Sequence, residues 1–473
     1  MPTLERPAIE TTIELPPRHA RVAGEADVLI VGGGPAGLGA AMGAAAAGAR
    51  VILVERYGFL GGNATAALVM PLMSFHTQHP PAHLAPVVTT LLPQDHGPGD
   101  PIIAGAVATL LERLIAAGGA LAPSLQTGYV VPFDPEIFKW VALELLHEAG
   151  VNMLFHAFAS DVLRDDAVTG AVFETKSGPL AIRARVTVDC TGDGDMAARA
   201  GARYDIGRPE DGLTQPMTLM FRMVEFDRGK FAEYIREHPT QWRGVHGLWD
   251  LIRRATEAGE LQLPREDMLF FATPHEREVS VNSTRVTGVR GVDVWDLSYA
   301  EWVSRRQMRQ IVEFLRRRVP GFEHSYVAQS GVNVGVRETR RILGEYELTA
   351  ADVAAARKFD DVIARCSYPI DIHNPKGSGT VLQRLPTGEA YDIPLRALLP
   401  LGVERLLVAG RCISGTHEAH SSYRVMPVAM AVGQAAGVCA ALAATHGVTP
   451  RAVPYRDVQR ELVRQGANLR GIV

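Results

Sequence analysis

Two short apolar runs near the start of the chain, Val28–Val31 and Val51–Val54, enclose a stretch rich in glycine and alanine. The first run leads directly into three spaced glycines, Gly32, Gly34 and Gly37. Apolar runs of this length between turn signals are typical of buried strands, and the alanines between them favour a helix. The pattern therefore predicts a strand, a helix and a second strand, arranged as in units that bind a dinucleotide.

The spaced glycines and one acidic residue each have a physical role in such a unit. Gly32 permits the tight turn from strand to helix, Gly34 lets a pyrophosphate approach the backbone, and Gly37 allows close packing of the helix on the sheet. The helix N-terminus then faces the phosphates. Glu55 follows the second strand, where a carboxylate accepts hydrogen bonds from a ribose. A glycine-rich turn that binds nothing is the alternative, and the complete order of strand, glycines, helix, strand and acid argues against it.

Three further blocks carry a resemblance to a known family. Gly61 and Gly62 lie shortly after Glu55, and the apolar runs Val186–Asp189 and Leu406–Ala409 each end in a small polar turn. Together with the spaced glycines, these blocks resemble the FAD-dependent oxidoreductases of the glutathione reductase and fumarate reductase superfamily, in a branch whose substrates are mostly unassigned. The resemblance implies FAD, not NAD, as the cofactor. The expected FAD contacts are Gly32, Gly34, Pro35, Ala36, Gly37, Glu55, Arg56, Gly61, Gly62, Asn63, Thr65, Thr191, Gly192, Asp193, Gly410 and Arg411.

The resemblance and the patterning predict an α/β protein with a Rossmann-like FAD-binding domain, discontinuous in sequence, and a second α+β substrate domain. The expected divisions are an N-terminal arm at 1–25, the FAD-binding domain at 26–205 and 386–450, the substrate domain at 206–385 and a C-terminal tail at 451–473. Among single elements, Pro135–Glu148 and Tyr299–Arg318 are predicted helices and Phe173–Ile182 is a predicted strand. Residues 78–100, rich in Pro, His and Gly, are predicted to form a loop or lid.

Composition narrows the possible classes of function. The chain has 473 residues, 47% of them hydrophobic, which is enough for two domains with substantial cores. Its net charge of −4 provides no basic excess for binding a nucleic acid. The four cysteines are far apart and form no C-x-x-C pair, and no metal site is predicted.

Two uncharged stretches, Val28–Ala49 and Val425–Ala444, are about long enough to cross a bilayer. Both are rich in Gly and Ala, and the first contains the spaced glycines, so we interpret them as buried packing elements and expect no membrane partner. The N-terminal residues show no basic region followed by an apolar core, so the default expectation is a cytoplasmic protein.

The candidate catalytic residues His417, His420 and Arg424 lie just before the last apolar stretch. Either histidine would remove a proton from a substrate, because imidazole titrates near neutral pH. Arg424 would hold a substrate carboxylate or carbonyl. The alternative is that these residues only form hydrogen bonds with the cofactor and the loop, in which case Arg337 and His373 are the next candidates.

The sequence thus predicts an FAD-dependent oxidoreductase that oxidises a small organic substrate by hydride transfer to the flavin. Oxygen or another acceptor would then take the electrons. Two alternatives stay open. One is a flavin-dependent reductase or desaturase, and the other is a protein in which FAD is structural or serves a macromolecular partner.

Overall fold

The computed structural model describes residues 11–79, 91–93, 99–377 and 379–471, so most of the predicted loop at 78–100 lies outside the described residues. The strands are β1 (Arg21–Val31), β2 (Val51–Val54), β3 (Asn152–Leu154), β4 (Phe158–Arg164), β5 (Val168–Thr175), β6 (Gly178–Asp189), β7 (Tyr204–Ile206), β8 (Phe221–Val224), β9 (Trp242–Arg243), β10 (His246–Gly247), β11 (Met268–Ala272), β12 (Glu278–Val281), β13 (Tyr326–Ser330), β14 (Arg340–Ile342), β15 (Val362–Cys366), β16 (Ile370–His373), β17 (Thr380–Gln383), β18 (Tyr391–Pro394) and β19 (Leu406–Val408). The helices are α1 (Pro35–Ala46), α2 (Ala106–Ala116), α3 (Pro135–Glu148), α4 (Asp195–Arg199), α5 (Arg228–Glu237), α6 (Trp249–Glu257), α7 (Val294–Arg318), α8 (Ala350–Ala354), α9 (His417–Tyr423), α10 (Met426–His446) and α11 (Tyr455–Arg464).

The first sheet contains β1 and β2, the two strands of the predicted strand, helix and strand unit, and α1 connects them. Its strand order is β3-β2-β1-β6-β5-β4, and β19 pairs with the last residues of β6 on the side away from β1. Strands β1, β2, β3, β6 and β19 run parallel, whereas β4 and β5 form an antiparallel extension beside the first half of β6. Parallel strands are covered on both faces, which agrees with the unbroken apolar runs in β1 and β2. The protein is therefore a mixed α/β structure with a parallel sheet.

Helices α1 and α10 run parallel and cross at very short range because both carry glycine at the contact. A Cβ atom on Gly39 would lie 2.0 Å from the carbonyl oxygen of Met430, and one on Gly433 would lie 2.0 Å from the carbonyl oxygen of Ala36. The same contact recurs one turn further along each helix, at Gly43 and Gly437. Any side chain at these positions would push the helices apart. The first turns of both helices consequently lie at the same end of the sheet.

The second sheet is antiparallel throughout, with the order β13-β8-β12-β11-β10-β9. Its core is aromatic. The ring of Phe270 lies 4.6 to 6.1 Å from the rings of Phe226, Phe231, Trp242 and Phe322, measured between centroids. Helix α7 adds apolar side chains to the same core. This sheet and helix lie within the predicted substrate domain at 206–385, and the division into domains itself stays a prediction.

Two elements were well predicted, and one was wrong. Helix α3 has the predicted bounds, and α7 contains the predicted helix but begins at Val294, because the side chain of Asp293 caps it. The predicted strand Phe173–Ile182 is instead a hairpin, with β5 ending at Thr175 and β6 beginning at Gly178. The reversal lies in the run Thr175–Pro179, which is polar and ends in Gly178 and Pro179, and this turn signal was not used in the prediction.

The packing also crosses several of the predicted divisions. Residues 21–25 of the predicted arm belong to β1, where they pair with β6. Strand β15, inside the predicted substrate domain, pairs with β18 and packs in the core of the first sheet. The predicted tail at 451–473 contains α11, whose Val458 and Leu462 are buried in that same core. These segments contribute to the core around the first sheet because their apolar side chains are covered there.

One helix among the described residues, α10, is long and apolar enough to cross a membrane by length and composition. In the folded chain, 83% of the most apolar 18-residue stretch of this helix is buried. Its small residues face α1, and Val438, Cys439 and Ala440 are fully covered. The helix therefore fills the interior of the protein in the way expected from its glycine and alanine content.

We expect Gly433→Ala to destabilise the protein, because the added methyl group would meet the backbone of α1. The free energy of unfolding should fall by roughly 1 to 3 kcal/mol, the usual cost of overpacking a core. The measurement is chemical denaturation followed by circular dichroism. Gly377→Ala is the control, since a Cβ atom there would have no neighbour within 4 Å. An unchanged midpoint for Gly433→Ala would contradict the close helix contact.

Candidate functional site

The turn between β1 and α1 borders a cavity at the carboxyl ends of the parallel strands. Gly32 has a φ of +104°, and a Cβ atom there would lie 2.4 Å from the carbonyl oxygen of Cys190, so only glycine fits. Helix α1 begins at Pro35, which has no N–H group to leave unpaired in the first turn. Gly34 precedes it and faces the cavity. The turn thus presents bare backbone and the positive end of a helix dipole to the cavity.

Glu55 lies at the end of β2 and lines the same cavity. One carboxylate oxygen accepts a hydrogen bond of 2.6 Å from the backbone N–H of Gly33, and the other accepts one of 2.9 Å from that of Tyr57. Burial raises the pKa of Glu55, and these two hydrogen bonds oppose the rise. The carboxylate therefore fixes the glycine turn and still has lone pairs available on the cavity side.

The turn after β6 lines another part of the same cavity. Asp189 is fully buried and accepts hydrogen bonds from the Thr191 hydroxyl (2.7 Å), the Thr191 N–H (3.0 Å) and the Ala197 N–H (2.9 Å). Burial raises its pKa to about 6. Asp193 accepts a hydrogen bond of 2.6 Å from the guanidinium of Arg411. The turn is thereby connected to the loop after β19, and both line the cavity.

Most of the predicted cofactor contacts line this one cavity. Those that do so are Gly32, Gly34, Pro35, Ala36, Glu55, Arg56, Gly62, Asn63, Thr191, Gly192, Asp193, Gly410 and Arg411. Three others support the walls from behind. A Cβ atom on Gly37 would lie 1.8 Å from the carbonyl oxygen of Gly32, the Gly61 N–H donates to the carbonyl of Gly33, and the Thr65 hydroxyl donates to the carbonyl of Leu60. Their direct contact with a cofactor stays a prediction.

A second cavity, of about 1000 Å³, adjoins the first. It lies between the start of α10, the residues from Val69 to Met73 and the second sheet, which contributes Leu269 and Phe271. Five residues line both cavities and so mark where they meet: Asn63, Val336, Arg411, Arg424 and Met426. Since Met426 is the first residue of α10, the positive end of that helix dipole also lies at the junction.

Of the three predicted catalytic residues, Arg424 lies at the junction of the cavities, and the two histidines lie elsewhere. His417 and His420 are buried, and neither lines the first or the second cavity. His417 Nδ1 lies 2.8 Å from a carboxylate oxygen of Glu338, which also pairs with Arg341 at 2.5 Å. This ion-pair network is buried and connects α9 to β14, which is a structural role. Substrate contact by either histidine stays a prediction.

His420 has no hydrogen-bond partner at either ring nitrogen among the described residues. Burial lowers its pKa well below the usual range, and the nearby positive charges of Arg341 and Arg424 lower it further. His420 is therefore neutral near pH 7. It packs against Tyr423 with the two rings edge to face, as a core aromatic side chain does.

The second cavity is also lined by polar residues that the sequence analysis ranked as second-choice catalytic candidates or did not indicate. Arg337 and His373, the two reserve candidates, both line it. Tyr368 and Asp371 line it as well, and the Tyr368 hydroxyl donates to Asp371 at 2.9 Å. The sequence signal for these two is their position in the same short block as His373. Arg243, His246 and Arg384 also lie in the lining, and nothing in their local sequence pointed to them.

The described residues contain no group of three or more His, Cys, Asp or Glu side chains positioned to hold a metal ion. The four cysteines are buried as free thiols. Burial raises the pKa of Cys190 and Cys412 well above the usual value. These thiols are therefore protonated near pH 7, and a thiolate is what ligation or redox exchange would require.

The chain was compared with known proteins. A family profile described as FAD dependent oxidoreductase matches residues 27–462. A search of curated proteins finds no significant match. The family match confirms FAD as the cofactor. The place of the chain within the glutathione reductase and fumarate reductase superfamily stays a prediction. The lining of the first cavity fits FAD, because it offers open backbone and a helix N-terminus for the diphosphate and Glu55 for a ribose.

Several solved structures are remotely similar. A geranylgeranyl bacteriochlorophyll reductase-like protein from Thermoplasma acidophilum aligns at 12% identity over 94% of this chain and 84% of its own, with a TM-score of 0.41. The p-nitrophenol 4-monooxygenase PnpA from Pseudomonas putida aligns at 13% identity over 94% and 86%, with a TM-score of 0.44. The myxobacterial halogenase CndH aligns at 13% identity over 93% and 79%, with a TM-score of 0.42.

We expect Glu55→Ala to weaken FAD binding by about tenfold to a hundredfold, because it removes a charged acceptor and leaves two backbone N–H groups unpaired. Glu55→Gln should lie between, since its amide keeps one acceptor oxygen. The measurement is titration of the apoprotein with FAD, followed by flavin fluorescence. Glu25→Ala is the control, because that side chain is exposed on β1 and outside the cavity. Wild-type affinity in Glu55→Ala would mean that Glu55 does not contact the ribose.

Proposed function

Because the chain belongs to the FAD-dependent oxidoreductase family, we propose that it oxidises a small organic substrate, which gives a hydride to the flavin and a proton to a side chain. Oxygen or another small acceptor would then take the two electrons. The observation that supports this most is the junction of the two cavities. A substrate in the second cavity reaches the cofactor cavity at Asn63, Arg424 and Met426. Close placement of two reactants is the main requirement for this chemistry.

The residues around the junction perform three tasks in this proposal. Arg424 lines both cavities, so its guanidinium can orient a polar group of the substrate beside the cofactor. The apolar residues Met220 and Phe271, which line the second cavity, exclude water from the reacting bond. The N-terminus of α10 stabilises negative charge that accumulates at the junction.

We assign proton removal to His373, which lines the second cavity in β16. Its Nε2 lies 3.6 Å from a carboxylate oxygen of Asp371, and its Nδ1 lies 3.4 Å from the Thr380 hydroxyl. Burial lowers the pKa of His373 well below the usual value, and the positive charges of Arg337 and Arg424 lower it further. The imidazole is therefore neutral near pH 7 and is available as a base, with Asp371 nearby to stabilise the imidazolium that forms.

The first experiment is an anaerobic screen of small metabolites against the purified yellow holoenzyme. We expect at least one organic substrate to bleach the flavin absorbance near 450 nm, with loss of two hydrogen atoms from the substrate by mass spectrometry. Dithionite serves as the control for reducibility. Reduction by NADH or NADPH alone, with no dependence on an organic substrate, would contradict the proposal. Failure of every metabolite in a broad panel, while dithionite still bleaches the flavin, would contradict it too.

We expect His373→Gln to slow flavin reduction by about a hundredfold or more and to retain FAD, as is usual when a positioned base is lost. The pH profile gives a second readout. A base works when deprotonated, so the wild-type rate should be flat above about pH 6.5 and fall only in more acid solution, since the pKa of His373 is lowered. His446→Gln, an exposed change at the end of α10, is the control. An unchanged rate in His373→Gln would assign the base elsewhere.

A further inference from the structure

The second cavity is strongly positive. The described residues that line it include five arginines, and Asp371 is the one carboxylate among them. One of the arginines, Arg411, is already neutralised by Asp193 at 2.6 Å. The charge of Arg243, Arg337 and Arg424 alone exceeds what Asp371 can balance. A low-dielectric cavity with such an excess favours a negatively charged occupant.

Arg337 carries a charge that no carboxylate among the described residues neutralises. Its Nη1 donates to the carbonyl of Pro216 (2.7 Å) and to the hydroxyl of Thr218 (2.6 Å), which are both uncharged acceptors. No carboxylate lies within ion-pair distance of Arg337 among the described residues. Burial lowers the pKa of Arg337 to about 9, so the guanidinium still carries its charge near pH 7. A partly buried charge without a charged partner is costly, and a ligand anion would reduce that cost.

Arg424 provides the second contact. One of its nitrogens lies 3.5 Å from a carboxylate oxygen of Asp371, a long ion pair, and its Nε is buried without a hydrogen-bond partner among the described residues. The positive charge of Arg424 is close enough to lower the pKa of Arg337. Two guanidinium groups of this kind would share one anion, each through the planar fork that matches a carboxylate.

The rest of the cavity is apolar. Its walls include the side chains of Val69, Met70, Met73, Met220, Leu269 and Phe271. These residues offer no hydrogen-bond donors or acceptors in their side chains apart from thioether sulfur, which is a weak acceptor. A small, fully polar anion would leave this surface empty or wet, whereas an apolar body would cover it.

We propose that the substrate is an organic carboxylate with an apolar body, and that its carboxylate binds between Arg337 and Arg424. This inference rests on the proposed function and specifies its substrate class. The carboxylate is held at the junction with the cofactor cavity, because Arg424 lines both. Of the C–H positions in such a substrate, the carbon next to the carboxylate would lie nearest to the cofactor cavity, and the apolar body would extend toward Met70 and Phe271.

The test is a binding measurement on oxidised, FAD-loaded protein, by isothermal titration calorimetry. The probes are phenylacetate, branched aliphatic monocarboxylates, the uncharged analogue phenylacetamide, phenyl phosphate and acetate. We expect at least one monocarboxylate with an apolar body to bind at least tenfold more tightly than its amide, and more tightly than acetate. We expect phenyl phosphate to bind more weakly than phenylacetate. Equal affinity for acid and amide, tighter binding of the phosphate or no binding of any carboxylate would overturn the inference.

Variants identify the residues involved. Arg337→Gln and Arg424→Gln should each weaken binding of the carboxylate by about tenfold to a hundredfold and leave the weak binding of phenylacetamide unchanged. Arg337→Lys keeps the charge without the planar fork and should lie between. Arg309→Gln, an exposed change on α7, is the control. Circular dichroism and the FAD content establish that each variant is folded. Wild-type carboxylate affinity in both glutamine variants would overturn the assignment.

Binding and chemistry are read separately in this design. If a carboxylate binds through Arg337 and Arg424 but no compound of any class bleaches the flavin, the carboxylate is supported as a ligand and the proposed oxidation fails. If the flavin is bleached only by uncharged compounds, the oxidation stands and the carboxylate inference fails. Each outcome therefore bears on one proposal without deciding the other.

Discussion

The contact between α1 and α10 is the constraint on which the site depends. Each helix brings glycine against the backbone carbonyls of the other, so their separation is set by main-chain atoms and leaves no room for adjustment. The helices run parallel, and their N-termini reach the same end of the sheet. The turn around Gly34 is thereby placed opposite Met426, and the cofactor cavity lies between them. A cavity built on main-chain contact has a fixed width, which a long cofactor requires.

The two cavities differ in the partners of the charged side chains that line them. In the cofactor cavity Glu55 accepts two backbone hydrogen bonds and Arg411 pairs with Asp193. In the second cavity Arg337 is held by neutral oxygens and has no carboxylate close to it among the described residues. Paired charges suit a resident cofactor, whose site must be stable before substrate arrives. Unbalanced charge suits a ligand that comes and goes.

Features carried by adjacent residues were visible in the sequence, and features made by distant ones were not. The glycine turn, Glu55 and the Thr191–Asp193 turn are contiguous motifs, and all of them line one cavity. Arg337 and Arg424 are far apart along the chain, so their shared cavity follows from tertiary packing alone. The crowding of polar residues before the last apolar stretch suggested His417 or His420 as a base, but every residue of α9 except Glu418 is buried, and Glu338 holds His417 in a structural network.

The most direct test of this account is the crystal structure of the FAD-bound protein, since the central claim concerns where the flavin meets the substrate cavity. We expect the isoalloxazine ring to lie at the junction lined by Asn63, Val336 and Met426, with one face toward the second cavity. The adenosine end should lie near Glu55. A flavin ring found at the opposite end of the cofactor cavity, near Arg56 and Phe158, would contradict the account.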